Sequence, residues 1–197
     1  MQAAFESLPA RECAFTAIDF ETTGTVSGWP VEPWQIGMAK MTPQGALLEK
    51  FSSLLGVSAD RPFNRFAPGR HAQLRDELAL SPTLPQMWNL VEPWVVGTLL
   101  VAHNIGTERT MLTKAAPLHR PGPWIDTLKL ARRVYPGLDS YALEDLVVLL
   151  GLLPKVREAC PGLAAHDAFF DAVACGVLYT HFLSLPGWES VTVGALI

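Results

Sequence analysis

Cysteine, charge and long apolar runs are all scarce in this sequence, and each scarcity excludes something. Cys13, Cys160 and Cys175 are the three cysteines among 197 residues. An odd number at no metal-ligating spacing argues against a disulfide framework and fits reduced thiols that fill the core of a cytoplasmic protein. Charged residues make up only 17% of the chain, and a positive excess is missing: 15 Lys and Arg face 19 Asp and Glu, for a net charge of −4. That balance argues against a broad duplex-binding surface driven by phosphate contacts, so any contact with nucleic acid is expected to be local. No apolar run approaches the roughly 20 residues a membrane helix needs. The N-terminus carries Glu6, Arg11 and Glu12 and lacks a continuous apolar stretch, so neither a signal peptide nor a membrane span is expected. There is also no internal repeat, low-complexity tract or interdomain linker.

What is present is a high apolar content, 49% hydrophobic, in a chain long enough to bury roughly two thirds of its unfolded surface. This reads as one domain over residues 1–197, with a core at about 12–185. The run Ala14, Phe15, Ala17, Ile18 has buried-strand character and ends in the turn Thr22-Thr23-Gly24. Strands are expected at Gln35 to Met41 and Leu47 to Leu55, joined as a hairpin by Thr42-Pro43-Gln44-Gly45. Residues 56–85 look irregular and hold Arg61, Arg65, Arg70, His71 and Arg75, as a solvated loop or a substrate-facing arm. Gln86 to Val96 reads as a helix with Pro93 near its end, and Leu99 to Ala102 as a short apolar strand. The second half alternates likewise, with helix over Thr107 to Ala116, strand around Trp124 and Ile125, and Asp126 capping a helix to about Tyr135. Helices follow over Ser140 to Leu150 and about Asp167 to Leu183, and the apolar tail Val191 to Ile197 is a candidate to pack back on the domain. This rhythm is that of an α/β sheet.

Three places carry chemistry. Asp19 and Glu21 are two apart on one strand, so they share a face. Like charges that close raise each other's pKa unless a cation neutralises them, so the pair is either a metal or catalytic site or two solvated charges at a strand end. His103 and Asn104 follow a buried strand, where open α/β sheets place their sites, although both types are also common in turns and caps. Glu108 comes next, on the following helix. His166 and Asp171, five apart, do not share a helix face, which puts His166 on a loop before the last helix, with Asp167 as its cap or as a rival metal ligand. Asp171 sits among Phe169, Phe170, Ala172 and Val173, where an unpaired carboxylate is costly unless it binds a metal.

Asp19 to Gly24, His103-Asn104 through Leu112, and His166 to Asp171, in this order, resemble the three motifs of the DEDDh exonucleases. Asp126-Thr127-Leu128 with Ala131-Arg132, and Tyr141-Ala142-Leu143 with Leu146, are similar to that family as well. The resemblance implies an RNase H-like three-layer α/β fold, a mixed five-stranded sheet flanked by helices. It also implies a two-metal 3′-5′ exonuclease acting on single-stranded or frayed DNA or RNA and releasing nucleoside 5′-monophosphates. The cofactors would be two divalent cations, Mg²⁺ or Mn²⁺, whose preference for oxygen ligands suits a carboxylate set without cysteine. Asp19 would bridge the ions, Glu21 and Asp171 would hold one of them, and His166 would be the general base. Thr22, Thr23, Gly24 and Asn104 would contact substrate. Trp29, Trp34 and Phe66 are candidates either to splay bases or to fill the core.

The second motif departs from the family pattern. Its usual Phe-Asp pair falls on Thr107-Glu108, which keeps the charge and lengthens the reach, and Mg²⁺ tolerates distorted geometry poorly. Two readings from different classes follow. One is an active exonuclease, with a polymerase or a second copy as possible partner. The other is a nuclease-like module that binds nucleic acid or a polymerase with weakened catalysis. Asp19, Glu21, His166 and Asp171 are all in place, which favours the first.

Overall fold

The computed structural model describes residues 5–197. Its sheet has five strands: β1 (Phe15–Thr22), β2 (Pro33–Met41), β3 (Leu47–Leu54), β4 (Val96–Ala102) and β5 (Gly122–Asp126), in the order β3-β2-β1-β4-β5. β1, β2 and β3 pair antiparallel, whereas β4 joins β1, and β5 joins β4, in parallel. The mixed sheet expected from the sequence is therefore present. The helices are α1 (Arg75–Leu80), α2 (Trp88–Val95), α3 (Gly106–Ala115), α4 (Thr127–Val134), α5 (Leu143–Leu149), α6 (Leu153–Ala159) and α7 (Ala168–Ser184). None of the described helices is long and apolar enough to cross a membrane.

Side-chain alternation along β1 builds the three layers. Phe15 and Ala17 join the core under α4, α5, α6 and α7. Ile18 and Phe20 enter a second core with Trp88, Val91 and Val95 of α2 and Met111 and Leu112 of α3. Asp19 and Glu21 continue the odd-numbered series, so they point to the α7 side at the C-terminal end of the strand. α7 is the central prop: 13 of its 17 residues are buried, the all-round burial of a core helix and not of an amphipathic surface one.

Two glycines allow α7 to lie this close. A Cβ on Gly37 of β2 would fall 2.2 Å from the Ala168 carbonyl carbon and the Phe169 nitrogen, at the start of the helix. A Cβ on Gly176 would meet the Met41 sulfur at 2.4 Å and the Ala17 Cβ at 3.2 Å. Gly37 pairs with Asp19 in the β1–β2 register, so the close approach of helix to sheet occurs beside the first carboxylate.

Several elements differ from expectation. β1 runs on through Thr22, placing both carboxylates inside the strand, and β4 starts at Val96 instead of Leu99. α5 begins at Leu143 without a side-chain cap, because the Ser140 hydroxyl donates to Asp145 and accepts from the Ala142 amide outside the helix. α6, over Leu153–Ala159, was not expected; it reopens a helix just past Gly151 with Pro154 in its first turn.

Residues 56–85 are not a solvated loop. They contain α1, and Arg61 is buried to 1% exposure. Its guanidinium pairs with Glu32 at 2.7 Å, donates to the Thr23 hydroxyl at 2.9 Å, and also reaches the Pro30 and Pro62 carbonyls. A buried fork with every arm satisfied ties the segment to the turn after β1. Trp34 is likewise core, 1% exposed, with its indole N–H on the Thr22 carbonyl, so it is no wedge. Trp29 and Phe66 remain at the surface, 43% and 77% exposed. The tail packs back as expected, with Val193 and Leu196 buried and the Val193 amide donating to the Leu8 carbonyl.

Candidate active site

The site forms where β1 and β4 end against the start of α7. A register shift between Glu21 and Thr22 closes the β1–β2 ladder, and Gly24, at φ +65°, turns the chain in a conformation that favours glycine. Thr23 is fully buried; its hydroxyl accepts from Glu32 N and Arg61, and its carbonyl accepts from Asn64 N at 2.8 Å. The Thr23 side chain therefore holds the turn, leaving backbone to face the cleft. The Thr22 hydroxyl accepts from the Gly24 amide at 3.4 Å.

His166 lies before α7, as its five-residue offset from Asp171 requires, in a left-handed conformation at φ +67°. Its amide donates to Asp171 Oδ2 at 2.8 Å, fixing loop and carboxylate together. Its imidazole is 47% exposed, with Nε2 at 3.8 Å from Glu144. One ligand atom each from Glu21, His166 and Asp171 lies within 4.8 Å of the others. Asp19 and Glu108 are outside that mutual spacing, but they act on the same space: burial first, then Glu108, Asp171, Glu21 and Asp167 in turn, raise the Asp19 carboxyl well above its usual range. Burial and the charges of Asp171 and Asp167 bring Glu21 up to about 7. Glu108, 3% exposed, is pushed up to about 8 chiefly by burial. Burial also raises Asp171 to about 6, against the lowering effect of the His166 amide.

Asp167 is the cap. Its Oδ1 accepts from the Phe169 and Phe170 amides, and its Oδ2 accepts from Gln35 Nε2 at 2.9 Å with Arg70 at 3.6 Å. No lone pair is left in an obvious direction for a metal, which separates Asp167 from its rivals. His103 is clamped between the Thr127 hydroxyl and the Tyr141 carbonyl, both at 2.9 Å, and burial lowers its pKa. It therefore props the site from behind. Asn104, exposed and at φ +67°, donates its backbone N–H to Asp126 Oδ1 at 3.1 Å.

The chemistry of this donor set fits a hard divalent cation. Four carboxylates with raised pKa values converge on one cleft, and Glu108 Oε2 is buried without any hydrogen-bond partner. Such an oxygen is stabilised by a proton or by a cation, and a cation would neutralise its neighbours as well.

One supporting residue, Gln35, was missed in the sequence, and Asp126 and Arg61, which were named there, take on further parts in the structure. Gln35 sits opposite Glu21 in register and ties Asp167 to the Ala168 amide at the start of α7. A lone amide inside the apolar run Trp34 to Met38 was its signal. Asp126 caps α4 while receiving the Asn104 amide and raising Glu108, so it joins the second motif to the sheet. Arg61 had no signal of its own, since its partners lie 29 and 38 residues away.

Comparison with known proteins agrees with this geometry. A family model described as an exonuclease, of RNase T type, matches residues 16–179. Exodeoxyribonuclease 10 of Escherichia coli (strain K12) is 30% identical over 177 residues, covering 88% of this chain and 70% of its own. The DNA polymerase III subunit epsilon of Aquifex aeolicus (strain VF5) is 28% identical over 177 residues, covering 86% and 80% respectively. A solved structure of exonuclease X in complex with 5′ overhanging duplex DNA superposes with a TM-score of 0.63 at 25% identity, across 92% of this chain and 98% of that one.

Proposed function

This chain belongs to the RNase T-type exonuclease family, and on that premise we propose that it removes nucleoside 5′-monophosphates one at a time from 3′ ends of single-stranded or frayed DNA or RNA. The observation that carries the reading is the gathering of Glu21, His166 and Asp171 within 4.8 Å, beside the raised carboxylates of Asp19 and Glu108. The solved relative with a 5′ overhanging duplex, whose opposite strand ends in a recessed 3′ terminus, supports polynucleotide ends as the substrate.

Asp19, Glu21, Glu108 and Asp171 would hold two divalent cations, Mg²⁺ or Mn²⁺. Such ions lower the pKa of bound water and draw off charge from a phosphodiester under attack. The chain's own residues do the rest. The turn at Thr22 to Gly24, pinned from behind by Arg61 and Asn64, presents backbone to the terminal nucleotide. Exposed Asn104, which follows β4, would be a second contact. His166 accepts the proton from the attacking water; the water oxygen bonds to phosphorus, and the bond to the 3′ oxygen breaks. The shortened strand leaves with a 3′-hydroxyl. A loop position with a half-exposed ring gives His166 access to both cleft and solvent.

The presence of Asp19, Glu21, His166 and Asp171, with Glu108 keeping the negative charge of the second motif, weighs against a binding module that has lost its chemistry. The test is digestion of single-stranded DNA and RNA with Mg²⁺, Mn²⁺ or EDTA. The parent should require the cation, Asp19→Ala should be silent, and His166→Ala should slow by about 10²- to 10⁴-fold. Degradation that persists in EDTA or in Asp19→Ala would overturn the reading.

A further inference from the structure

A hollow of about 540 Å³ lies between α3, β5 and the start of α4. Its rim carries Arg109, Arg120 and Lys129, all exposed. Among the described residues, none of the three side chains makes an ion pair, a hydrogen bond or a cation–π contact. Of the other twelve Lys and Arg residues eight are committed; Lys50, Lys114, Lys155 and Arg157 are not, and none of those four lines this hollow. Arg11, Lys40, Arg61 and Arg70 pair with carboxylates, and Arg65, Arg75, Arg132 and Arg133 lie over aromatic rings. In a chain of net charge −4, three uncommitted cations around one hollow make a local field opposite to that of the whole.

The acidic groups at the hollow do not cancel that field. Asp126 Oδ1 is occupied by the amides of Asn104, Leu128 and Lys129. Glu92 pairs with His119 at 3.3 Å. Two ties join the hollow to the catalytic end: Arg109 follows Glu108 on α3, and Asp126, which lines the hollow, accepts from the Asn104 backbone amide.

Given a polynucleotide end in the carboxylate cleft, we infer that this hollow is a separate binding site for the phosphodiester backbone, gripped by Arg109, Arg120 and Lys129. The five acidic residues around the cleft, Asp19, Glu21, Glu108, Asp167 and Asp171, repel the strand they are to cut until cations arrive. A cationic rim that begins at Arg109, the residue after Glu108, offsets that repulsion and sets the strand's approach. The phosphates come either from the scissile strand upstream of its 3′ end or from a strand paired with it.

The test compares the parent with a triple variant, Arg109→Ala, Arg120→Ala and Lys129→Ala, and with a control in which Arg109→Lys and Arg120→Lys keep the charge. Three probes are used: a 4-nitrophenyl ester of thymidine 5′-monophosphate, which fills only the catalytic cleft, a single-stranded oligonucleotide, and the same strand annealed to leave a 3′ overhang. For the triple variant, the ester rate should stay within about twofold, whereas KM on the strands should rise about tenfold or more with kcat little changed. Fluorescence anisotropy of the labelled strand across a salt series should show its salt slope reduced by about 2 to 3, and the lysine control should keep the parent slope. A KM increase on both strand probes assigns the scissile strand; an increase confined to the annealed probe assigns the paired one. Unchanged KM and salt slope on both strands would overturn the site, as would loss of ester hydrolysis in step with strand hydrolysis. Because anisotropy needs no turnover, a parent that binds strands through this hollow and hydrolyses nothing would sink the exonuclease reading alone.

Discussion

Burial leaves Glu108 Oε2 without a partner and pushes its carboxyl up to about 8, while Glu21 reaches about 7 and Asp171 about 6. These groups titrate near 4.5 for Glu and 3.8 for Asp when unperturbed. Across roughly pH 4 to 8 the native state therefore binds more protons than the unfolded chain, so stability falls as pH rises. The contribution is complete below the unfolded pKa values and is lost as each folded value is passed. A divalent cation binds the ionised carboxylates and reverses the trend. In EDTA, the melting temperature should drop by several degrees between pH 5 and pH 8, at about 2–4 °C per kcal/mol for a chain of this size. Added Mg²⁺ or Mn²⁺ should recover more at pH 8 than at pH 5. A melting temperature in EDTA that is flat or rises with pH would contradict this electrostatic account.

Glu108 also decides how well the site is built. Its buried carboxylate projects from the first turn of α3 and repels Asp19, so the charge of the longer side chain is felt at the first carboxylate. Glu108→Asp should keep or raise Mg²⁺-dependent kcat, measured on a single strand. A large loss would mean that the surrounding residues have been rebuilt around the extra methylene. At this scale the sequence was informative about the carboxylates and His166, because their spacing is local and each sits at an element boundary with its own signature. Arg61 was illegible for the opposite reason. It lies in a stretch without periodicity, and nothing in its neighbours announces that Glu32 and Thr23 will enclose it.

At the scale of elements, the close contact of α7 with β1 and β2 holds Asp171 against Asp19 and Glu21. Gly37 permits it, since a Cβ there would collide with the backbone of Ala168 and Phe169, which cannot swing aside as a side-chain tip would. Gly37→Ala should destabilise the fold by about 1–3 kcal/mol or more, read from urea unfolding. It should also reduce activity beyond what the lost stability explains at a temperature where the variant is fully folded. Wild-type stability and kcat together would show that the helix does not set the geometry. Elements with strong patterns were legible: the hairpin of β2 and β3, the capped starts of α4 and α7, and the loop before α7. α1 and α6 were not, being six and seven residues long and defined by what they pack against more than by their own sequence.

The whole molecule combines an acidic chain, an acidic cleft and one cationic hollow. The low positive content pointed to local contact with nucleic acid, and the three uncommitted cations on the hollow give that expectation a place. The individual strands followed from apolar runs and the mixed three-layer fold from the family resemblance, whereas the strand order and the ties between distant loops needed coordinates. The act proposed for this exonuclease-family chain is removal of the terminal nucleotide from a 3′ end. The most direct measurement is a time course on one single strand labelled separately at each end, in the presence of Mg²⁺ or Mn²⁺. The 3′ label should appear at once as a mononucleoside 5′-monophosphate, while the 5′-labelled strand shortens one nucleotide at a time. Internal fragments at early times, or release of the 5′ label first, would contradict the account.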